Sequence, residues 1–436
     1  MVRFERSHPR SHELHRRARH SLQDGVPMPW MVRWAGSFPL FVERARGARF
    51  IDVDGLEYVD FCLGDSGAMA GHGPAPALEA IRRQLDRGAT LMLPTEDAIW
   101  VGEELTRRFG LPSWQFTTSA TDANRFAIRL ARHITGRPKI LVFNGCYHGT
   151  VDETFATLDE NGQVRARPGN LGPPVDPALT TRVAEWNDLE ALERELAHRD
   201  VACVLAEPAL TNIGIVLPER GFHQGLRELT RRYGTWLVLD ETHTVSAGPR
   251  GATGAWGLEP DILTIGKAIA SGLSAAAYGF SAEVAERVGK AIRLDLADTG
   301  GIGGTLAGNA LTLAAMRATL SEVLTPEAYE TMLPLAERFA GGVERVVAEH
   351  GLPWTVQRLG CRVEYWFRAV PPKNGAEAAT AIDLELDRYL HLAALNRGVL
   401  MTPFHNMALL SPATTADDVD RHTAAFREAV GALLLE

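Results

Sequence analysis

The sequence has few cysteines and no surplus of positive charge, and each shortage excludes a class of protein. The four cysteines lie far apart, at Cys62, Cys146, Cys203 and Cys361, and none belongs to a CxxC pair. This spacing argues against a disulfide framework and against a zinc site. The net charge is −9, from 45 Lys and Arg against 54 Asp and Glu. No basic excess therefore remains to neutralise the phosphates of a nucleic acid.

The sequence also lacks segments that would direct it into or across a membrane. No apolar run approaches the roughly 18 residues that a membrane span requires. The N-terminal stretch MVRFERSHPRSHELHRRARHS has no apolar core of the kind found in signal peptides, and its acidic residues fit a transit peptide poorly. Leu14, Ala18 and Leu22 instead indicate a short amphipathic helix. We expect a cytoplasmic protein with neither a membrane nor a nucleic acid as partner.

Several common catalytic signatures are absent as well. A P-loop ending at Lys267 would need glycine at position 261, which is aspartate, and the glycines between 300 and 308 do not have the GxGxxG spacing. SHELH is one residue short of HExxH, and GxSxG does not occur. These absences argue against nucleotide hydrolysis, NAD binding by that fingerprint, zinc proteolysis and serine hydrolysis.

The order of apolar segments predicts an α/β protein. From about Pro76, short apolar segments such as KILVFNG and VACVLAEP alternate with amphipathic segments such as DANRFAIRLARHI and FHQGLRELTRRYG. This alternation is typical of βαβ units and a mostly parallel sheet. The earlier stretch PLFVERARGARFIDVDGLEYVDFC predicts an antiparallel meander. After Asn309, ALTLAAMRATLSEVL predicts one long helix.

Polar residues follow several of these predicted strands. LVLDETHTV, residues 237–245, passes from apolar residues to Asp240 and Glu241, and ILTIGKA ends on Lys267. Ser119, Tyr147 and Glu207 also lie at or just past predicted strand ends. Ligands of open α/β sheets bind beyond the carboxyl ends of the strands. We therefore expect these side chains to cluster.

This set of residues suits pyridoxal phosphate, which needs a lysine, a carboxylate for its ring nitrogen and an anion site. Lys267 would form the Schiff base and Asp240 would pair with the ring nitrogen. TTSATDAN places small and hydroxyl residues at a helix start, where free N–H groups favour a phosphate. Each residue alone has an ordinary alternative: a surface lysine, a turn aspartate, a helix cap, a structural tyrosine in CYHG, or a flexible turn at Thr305.

Eight motifs together resemble one family. FIDVDGLEYVDF, AGHGP, SATDAN, CYHG, EP, LDETHT, TIGK and GGTLAGN occur in the order found in class III aminotransferases, which are pyridoxal phosphate enzymes of fold-type I. The resemblance extends from about residue 30 to the C-terminus. Within the family, the segment NIGIVLP is most similar to glutamate-1-semialdehyde aminomutases and β-amino acid aminotransferases.

The resemblance implies a fold, an assembly and a set of site residues. The fold would have a large cofactor domain at 75–310 with a seven-stranded, mostly parallel sheet. An N-terminal segment at 1–74 would join the small domain at 311–436. Two subunits would share the active sites of a homodimer, with Thr305 contributed by the other subunit. Tyr147 would stack on the cofactor ring and Asn212 would bond to its phenolic oxygen. The full set implied to bind the cofactor is Ser119, Ala120, Thr121, Tyr147, His148, Glu207, Asn212, Asp240, Thr242, His243, Lys267 and Thr305.

The sequence departs from the family pattern at three places. Ala120 stands where the family usually has glycine, so we expect its backbone to adopt a shape that glycine reaches more easily. Thr242 stands where valine usually packs against the cofactor ring. The C-terminal segment PFHNMALL lacks the glutamate of the aminomutases and has Met407 nearest that position.

The substrate-binding residues predicted from the sequence are Trp30, Arg33 and Met407. Arg33 is the candidate for a substrate carboxylate, because guanidinium binds carboxylate through a bidentate fork. The alternative is an exposed arginine beside Trp30 and Trp34. The apolar Met407 predicts an uncharged substrate side chain.

The expected activity is transamination. An amino group would move from an amine or amino acid to a keto acid, aldehyde or ketone by a ping-pong mechanism, with negligible conversion of glutamate-1-semialdehyde. The alternatives are an aminomutase, an amino acid racemase, or a binding protein that has kept the fold and lost catalysis.

Overall fold

The structure is a computed structural model that describes residues 1–172 and 175–435. The chain forms two compact units. The central unit consists of Ala75–Pro326 and Pro372–Thr380, and the terminal unit consists of Met1–Pro74, Glu327–Pro371 and Ala381–Glu436. No helix among the described residues combines the length and the apolar character needed to cross a bilayer.

The strands and helices are numbered in chain order. The strands are β1 Val42–Arg46, β2 Arg49–Asp52, β3 Glu57–Asp60, β4 Ser113–Thr117, β5 Lys139–Phe143, β6 Ala156–Leu158, β7 Val164–Ala166, β8 Thr181–Ala184, β9 Val201–Ala206, β10 Trp236–Asp240, β11 Ile262–Ile265, β12 Ala276–Phe280, β13 Thr355–Leu359, β14 Arg362–Trp366, β15 Val399–Leu400 and β16 Met407–Leu409. The α-helices are α1 Val2–Ser7, α2 Pro9–Ala18, α3 Ala75–Leu85, α4 Glu96–Phe109, α5 Ala120–Thr135, α6 Leu189–Leu196, α7 Phe222–Tyr233, α8 Gly251–Ala255, α9 Ala282–Ala291, α10 Ala310–Ala318, α11 Pro326–Glu349, α12 Gly375–Ala379, α13 Leu384–Leu395 and α14 Ala416–Leu433.

The central unit is built on a seven-stranded sheet with the order β4-β12-β11-β10-β9-β5-β8. Neighbouring strands from β8 to β11 run parallel, whereas β12 runs antiparallel to both β11 and β4. Every residue of β9, β10 and β11 is buried, as expected for strands that are covered on both faces. The predicted seven-stranded, mostly parallel sheet is confirmed.

Helix α10 explains where the central unit ends. Ala318 of α10 packs with Ala77 and Ala80 of α3, so the chain after residue 310 remains with the sheet. The compact unit extends to Pro326, beyond the boundary expected at residue 310. The predicted long helix also differs, because regular α-helix ends at Ala318 and a π-helical turn follows over Thr319–Val323.

The terminal unit contains two small sheets. Strands β1, β2 and β3 form the predicted antiparallel meander, and β15 adds to β3 in parallel. Strands β13, β14 and β16 form the second sheet, which is antiparallel. The pairing of β15 with β3 joins the beginning and the end of the chain in one unit.

The N-terminal segment forms two short helices, and its most buried apolar residue lies in the first of them. Helix α2 ends at Ala18, and Leu22 beyond it is exposed. The anchor comes from Phe4 of α1, which is buried with Phe38, Phe50 and Tyr58. His8 bonds to the Phe4 carbonyl and to the Tyr58 hydroxyl, each at 2.6 Å. The predicted short helix is present as α2, with Leu14 and Ala18 half-buried, but it ends before Leu22.

Candidate active site

Lys267 follows the end of β11 in a close-packed position. A Cβ on Gly266 would lie 3.0 Å from the Cβ of Ala120 and 3.2 Å from that of Ala276. The absence of a side chain at Gly266 thus lets the strand end approach the first turn of α5. Lys267 itself has a φ of +49°, which is uncommon for a residue with a side chain, and residues in such strained conformations cluster at functional sites.

Asp240 ends the neighbouring strand β10, opposite Thr264 of β11, and its carboxylate is buried. Oδ2 lies 2.8 Å from the Asn124 amide nitrogen and 3.0 Å from His148 Nδ1. Oδ1 accepts the backbone N–H of Thr242 at 3.0 Å. Three donors on separate segments therefore hold this carboxylate in one orientation.

Asn124 was not predicted as a site residue, although it belongs to the SATDAN motif. Its oxygen accepts the Thr264 hydroxyl at 2.7 Å, which leaves its NH₂ group to donate to Asp240 and to the His148 carbonyl. Asn124 lies four residues after Ala120 on α5, so both face the same side of the helix. That spacing is the sequence signal that would have identified it.

The Asp240–His148 pair is ionised at neutral pH. Burial of the His148 ring disfavours its charge, but Cys146 beside it and the hydrogen bond to Asp240 raise its pKa to about 10. Burial also disfavours the charge of Asp240. The hydrogen bonds and charge of His148, together with Thr242 and Asn124, nevertheless hold the pKa of Asp240 well below its ordinary value. Asp240 is therefore a carboxylate over the physiological range.

The first turn of α5 is the candidate anion site. Ser119 caps the helix by accepting the Asp122 N–H at 3.2 Å, and the hydroxyl of Thr121 accepts the Thr150 N–H at 3.0 Å. Free N–H groups at the start of a helix favour an anion. The Asp122 carboxylate, which accepts the Ser119 and Thr118 hydroxyls, adds a negative charge that opposes binding there.

The expected unusual backbone at Ala120 is not observed. Ala120 is the first residue of α5 and has no positive φ. The left-handed conformation occurs instead at Lys267 on the facing segment. Alanine is therefore accommodated at position 120 because Gly266 supplies the space.

A second group of buried polar residues contacts Lys267. Its Nζ lies 2.5 Å from His243 Nε2, and His243 Nδ1 lies 2.8 Å from the Thr211 hydroxyl. The same hydroxyl donates to Glu207 at the end of β9. Thr211 was not predicted as a site residue. It lies in the 210–216 loop, which is closed by a bridge between Leu210 and Val216.

The remaining predicted cofactor contacts lie around these groups in the central unit. Tyr147 is half-buried beside His148, and Asn212 is half-buried beside Thr211. Thr305 is exposed on the single chain, in the glycine-rich stretch. Their contacts to a cofactor stay predictions.

The three predicted substrate residues lie in the terminal unit. The Trp30 ring packs edge-on against Phe404 with centroids 5.3 Å apart, and the Arg33 guanidinium lies 5.4 Å from the centre of the same ring. Phe404 thus brings Trp30 and Arg33 together. Met407 begins β16 and is buried, with its sulfur 3.9 Å from the Thr402 hydroxyl. Their role toward a substrate stays a prediction.

Two buried polar atoms beside Asp240 are candidates for contacts to a polar ligand. Within residues 1–172 and 175–435, the buried atoms without a hydrogen-bond partner include His148 Nε2 and Thr242 Oγ1. Buried polar groups of this kind ordinarily find partners. The orphaned atoms, the fixed carboxylate, the lysine and the helix start together fit the pyridine ring, aldehyde and phosphate of pyridoxal phosphate.

Comparison with known proteins gives consistent matches over nearly the whole chain. The family model "Aminotransferase class-III" matches residues 30–430. A glutamate-1-semialdehyde 2,1-aminomutase of Anaeromyxobacter dehalogenans (strain 2CP-C) is 34% identical over 427 residues, which cover 96% of this chain and 97% of that protein.

Solved structures match as well. A glutamate-1-semialdehyde-aminomutase from Pseudomonas aeruginosa PAO1 is 53% identical, with a TM-score of 0.96 and coverage of 99% of this chain and 96% of that one. A variant of that protein has been solved in complex with PMP. An omega-transaminase from Sphaerobacter thermophilus is 31% identical, with a TM-score of 0.87 and 97% coverage of both chains.

Proposed function

Because the chain belongs to the class-III aminotransferase family, we propose that it is an aminomutase that converts glutamate-1-semialdehyde to 5-aminolevulinate. The amino group moves between neighbouring carbons of one molecule. The 53% identity with the aminomutase from Pseudomonas aeruginosa over 99% of this chain carries the proposal. This was the alternative inferred from the sequence, and it now replaces transamination between two molecules as the first choice.

The cofactor is pyridoxal 5′-phosphate, and Asp240 keeps it in its reactive form. When bound, the cofactor supplies an electron sink that lets a proton leave the substrate carbon bearing the amino group. The ring nitrogen must stay protonated for this sink to be strong. Asp240, ionised and held by His148, Asn124 and Thr242, supplies the negative charge that keeps the proton there.

Lys267 carries the proton in the proposed reaction. Its amine would hold the cofactor, and once released its Nζ would accept a proton from the substrate. An aminomutase must return a proton to a different carbon, so one movable base can serve both steps. Because Gly266 packs against the start of α5, the backbone of the adjacent Lys267 lies beside that helix.

The phosphate would be held at the start of α5. Ser119, Ala120 and Thr121 would supply N–H and hydroxyl donors, and Thr305 would donate from the second subunit of a homodimer. The exposed position of Thr305 on the single chain is compatible with a contact made across a subunit boundary.

A second candidate function is transamination between two molecules. The C-terminal segment offers Met407 near the position where the aminomutases carry a glutamate, and this side chain is buried in an apolar setting. A thioether cannot hold a proton or pair with a charged amine. The 31% identity with the omega-transaminase from Sphaerobacter thermophilus is compatible with this candidate.

One incubation separates the two candidates. The enzyme is given glutamate-1-semialdehyde with no added amino donor or keto acid, and 5-aminolevulinate is followed over time. Sustained turnover is expected, and Lys267→Ala should remove it while the protein remains folded. Absence of product from a yellow, cofactor-loaded enzyme would exclude the aminomutase. Turnover of apolar amines with pyruvate or 2-oxoglutarate would then establish the second candidate.

A further inference from the structure

A continuous line of polar contacts leads from a buried carboxylate to the amine of Lys267. Glu207 bonds to the Thr211 hydroxyl, this hydroxyl lies 2.8 Å from His243 Nδ1, and His243 Nε2 lies 2.5 Å from Lys267 Nζ. Glu207, Thr211 and His243 are exposed by 3%, 1% and 8% of their surfaces. Because water has so little access to them, their mutual bonds determine where the protons lie.

The direction of these bonds assigns the proton on His243. The Thr211 hydroxyl has one proton and donates it to the Glu207 carboxylate. Its oxygen therefore faces His243 with a lone pair, so the proton of the neutral imidazole must be on Nδ1. His243 Nε2 then carries a lone pair and faces the Lys267 amine as an acceptor.

We propose that Glu207, Thr211 and His243 form a proton relay that ends on Lys267. In this relay, His243 is the base that accepts from Lys267 the proton that the lysine takes from the substrate. His243 touches the reacting amine. Glu207 and Thr211 act through it as positioning residues: they hold it in the Nδ1–H form and supply a negative charge at the far end. This inference rests on the proposed role of Lys267 as the proton carrier.

The proposed transfer balances without any further reactant. A C–H bond of the substrate would break, the bound cofactor would hold its electron pair, and a new N–H bond on Lys267 would give an ammonium. One ammonium proton moves to His243 Nε2, so that the amine becomes neutral and the ring becomes an imidazolium opposite Glu207. The reverse movement returns the proton to Lys267, which would deliver it to the carbon that receives the electron pair back from the cofactor, so that a new C–H bond replaces the broken one. No proton is gained or lost overall.

Two substitutions test the relay without changing its volume. Thr211→Val replaces the bridging hydroxyl with a methyl group. Glu207→Gln removes the negative charge at the far end, so the Thr211 hydroxyl is no longer held as a donor to position 207 and the Nδ1–H form of His243 is no longer enforced. Thr211→Ser retains the hydroxyl. The matched control is Thr230→Val in α7, where a buried hydroxyl donates to the Arg227 carbonyl at 2.9 Å.

The first measurement needs neither substrate nor cofactor. The full-length protein, freed of cofactor, is acetylated over a range of pH, and modification of Lys267 is quantified by peptide mass spectrometry. Loss of the hydrogen-bond acceptor on His243 should lower the midpoint of the Lys267 modification profile by about one pH unit. This corresponds to a tenfold change in the amount of reactive amine at a given pH. We expect this shift in Thr211→Val and Glu207→Gln, and the wild-type profile in Thr211→Ser and Thr230→Val.

Each result of that measurement decides the proposal. Wild-type profiles in both relay variants would overturn it, and so would an equal shift in the Thr230→Val control. If Thr211→Val does not fold, as judged by circular dichroism, Glu207→Gln decides alone. Because no substrate is present, the result does not depend on which amino-group reaction the enzyme performs.

The second measurement uses the holoenzyme. A substrate deuterated at the reacting carbon is mixed rapidly with enzyme, and the first half-reaction is followed through the cofactor absorbance. His243→Gln can still donate to Thr211 and accept from Lys267, but it cannot take up a proton. We expect its rate to fall at least tenfold and its deuterium isotope effect to increase. An unchanged rate and isotope effect would remove His243 from proton transfer.

Discussion

His148 couples the protonation of the site to the stability of the protein. Its pKa is raised to about 10 in the folded chain, against about 6.5 for an ordinary histidine. The folded state therefore holds this proton more tightly than the unfolded state does. The resulting stabilisation is complete below about pH 6.5 and is lost as the pH rises through about 10. At the acid end, the lowered pKa of Asp240 contributes stability that is lost only in strongly acidic solution.

The first prediction follows from this linkage. Between about pH 6.5 and pH 10, the wild-type free energy of unfolding should fall by about 4 kcal/mol more than that of His148→Gln. Glutamine can still donate to Asp240 but does not titrate. The measurement is urea denaturation of both cofactor-free proteins across this range. Parallel curves for the two proteins would show that the His148–Asp240 pair does not contribute this stability.

At the scale of elements, the site depends on how closely the end of β11 approaches the start of α5. Gly266 and Ala120 meet without room for a second methyl group. Overpacking at such a contact costs roughly 1–3 kcal/mol. The same contact places Lys267 next to the first N–H groups of α5, so a displacement here would alter both the lysine and the phosphate site.

The second prediction tests this contact with a compensating pair. Gly266→Ala should lower the unfolding temperature and weaken the retention of pyridoxal phosphate by about tenfold, equivalent to ~1.4 kcal/mol. Adding Ala120→Gly removes the opposing methyl group and should recover part of both losses. Cofactor affinity is measured by fluorescence titration of the cofactor-free proteins. Additive losses in the double variant would show that the two residues do not oppose each other.

At the scale of the whole molecule, the proposed active site needs two copies of the chain. Thr305 is exposed and surrounded by glycines, of which Gly303 and Gly304 have positive φ angles. A backbone without side chains can approach a phosphate closely. If the proposed homodimer forms, Thr305 of one subunit and Lys267 of the other belong to the same site.

The third prediction is complementation between subunits. Thr305→Ala and Lys267→Ala homodimers should each be impaired, the first in cofactor retention and the second in turnover. After subunit exchange, a hybrid contains one site with both residues intact and should regain up to half of the wild-type activity per hybrid dimer. Exchange is verified by native mass spectrometry of differently tagged chains. A verified hybrid with no recovered activity would place Thr305 within its own subunit's site or outside any site.

The sequence alone determined the layout of the central sheet and the residues at its strand ends. Continuous apolar runs predict buried parallel strands, and polar residues directly after them must lie along one edge of the sheet. The positions of Asp240 and Lys267 at neighbouring strand ends could therefore be predicted, because this inference needs only local pattern and the rule for strand ends. The N-terminal meander could also be predicted from local sequence, because short turns join strands that follow each other in the chain.

The tertiary structure alone decided the contacts between side chains on separate segments. Thr211 and Thr264 had no distinctive local pattern, and their contacts, like those of Asn124, are made with partners far away in the chain. The end of the central unit also depends on contacts between distant segments, because α10 packs on α3 and therefore stays with the central unit. The N-terminal segment shows the same limit: the spacing of Leu14 and Ala18 predicted a helix, but the fully buried Phe4 of α1 packs in an aromatic cluster that only folding brings together. Periodicity indicates which faces can be buried, and packing between distant segments decides which of them are.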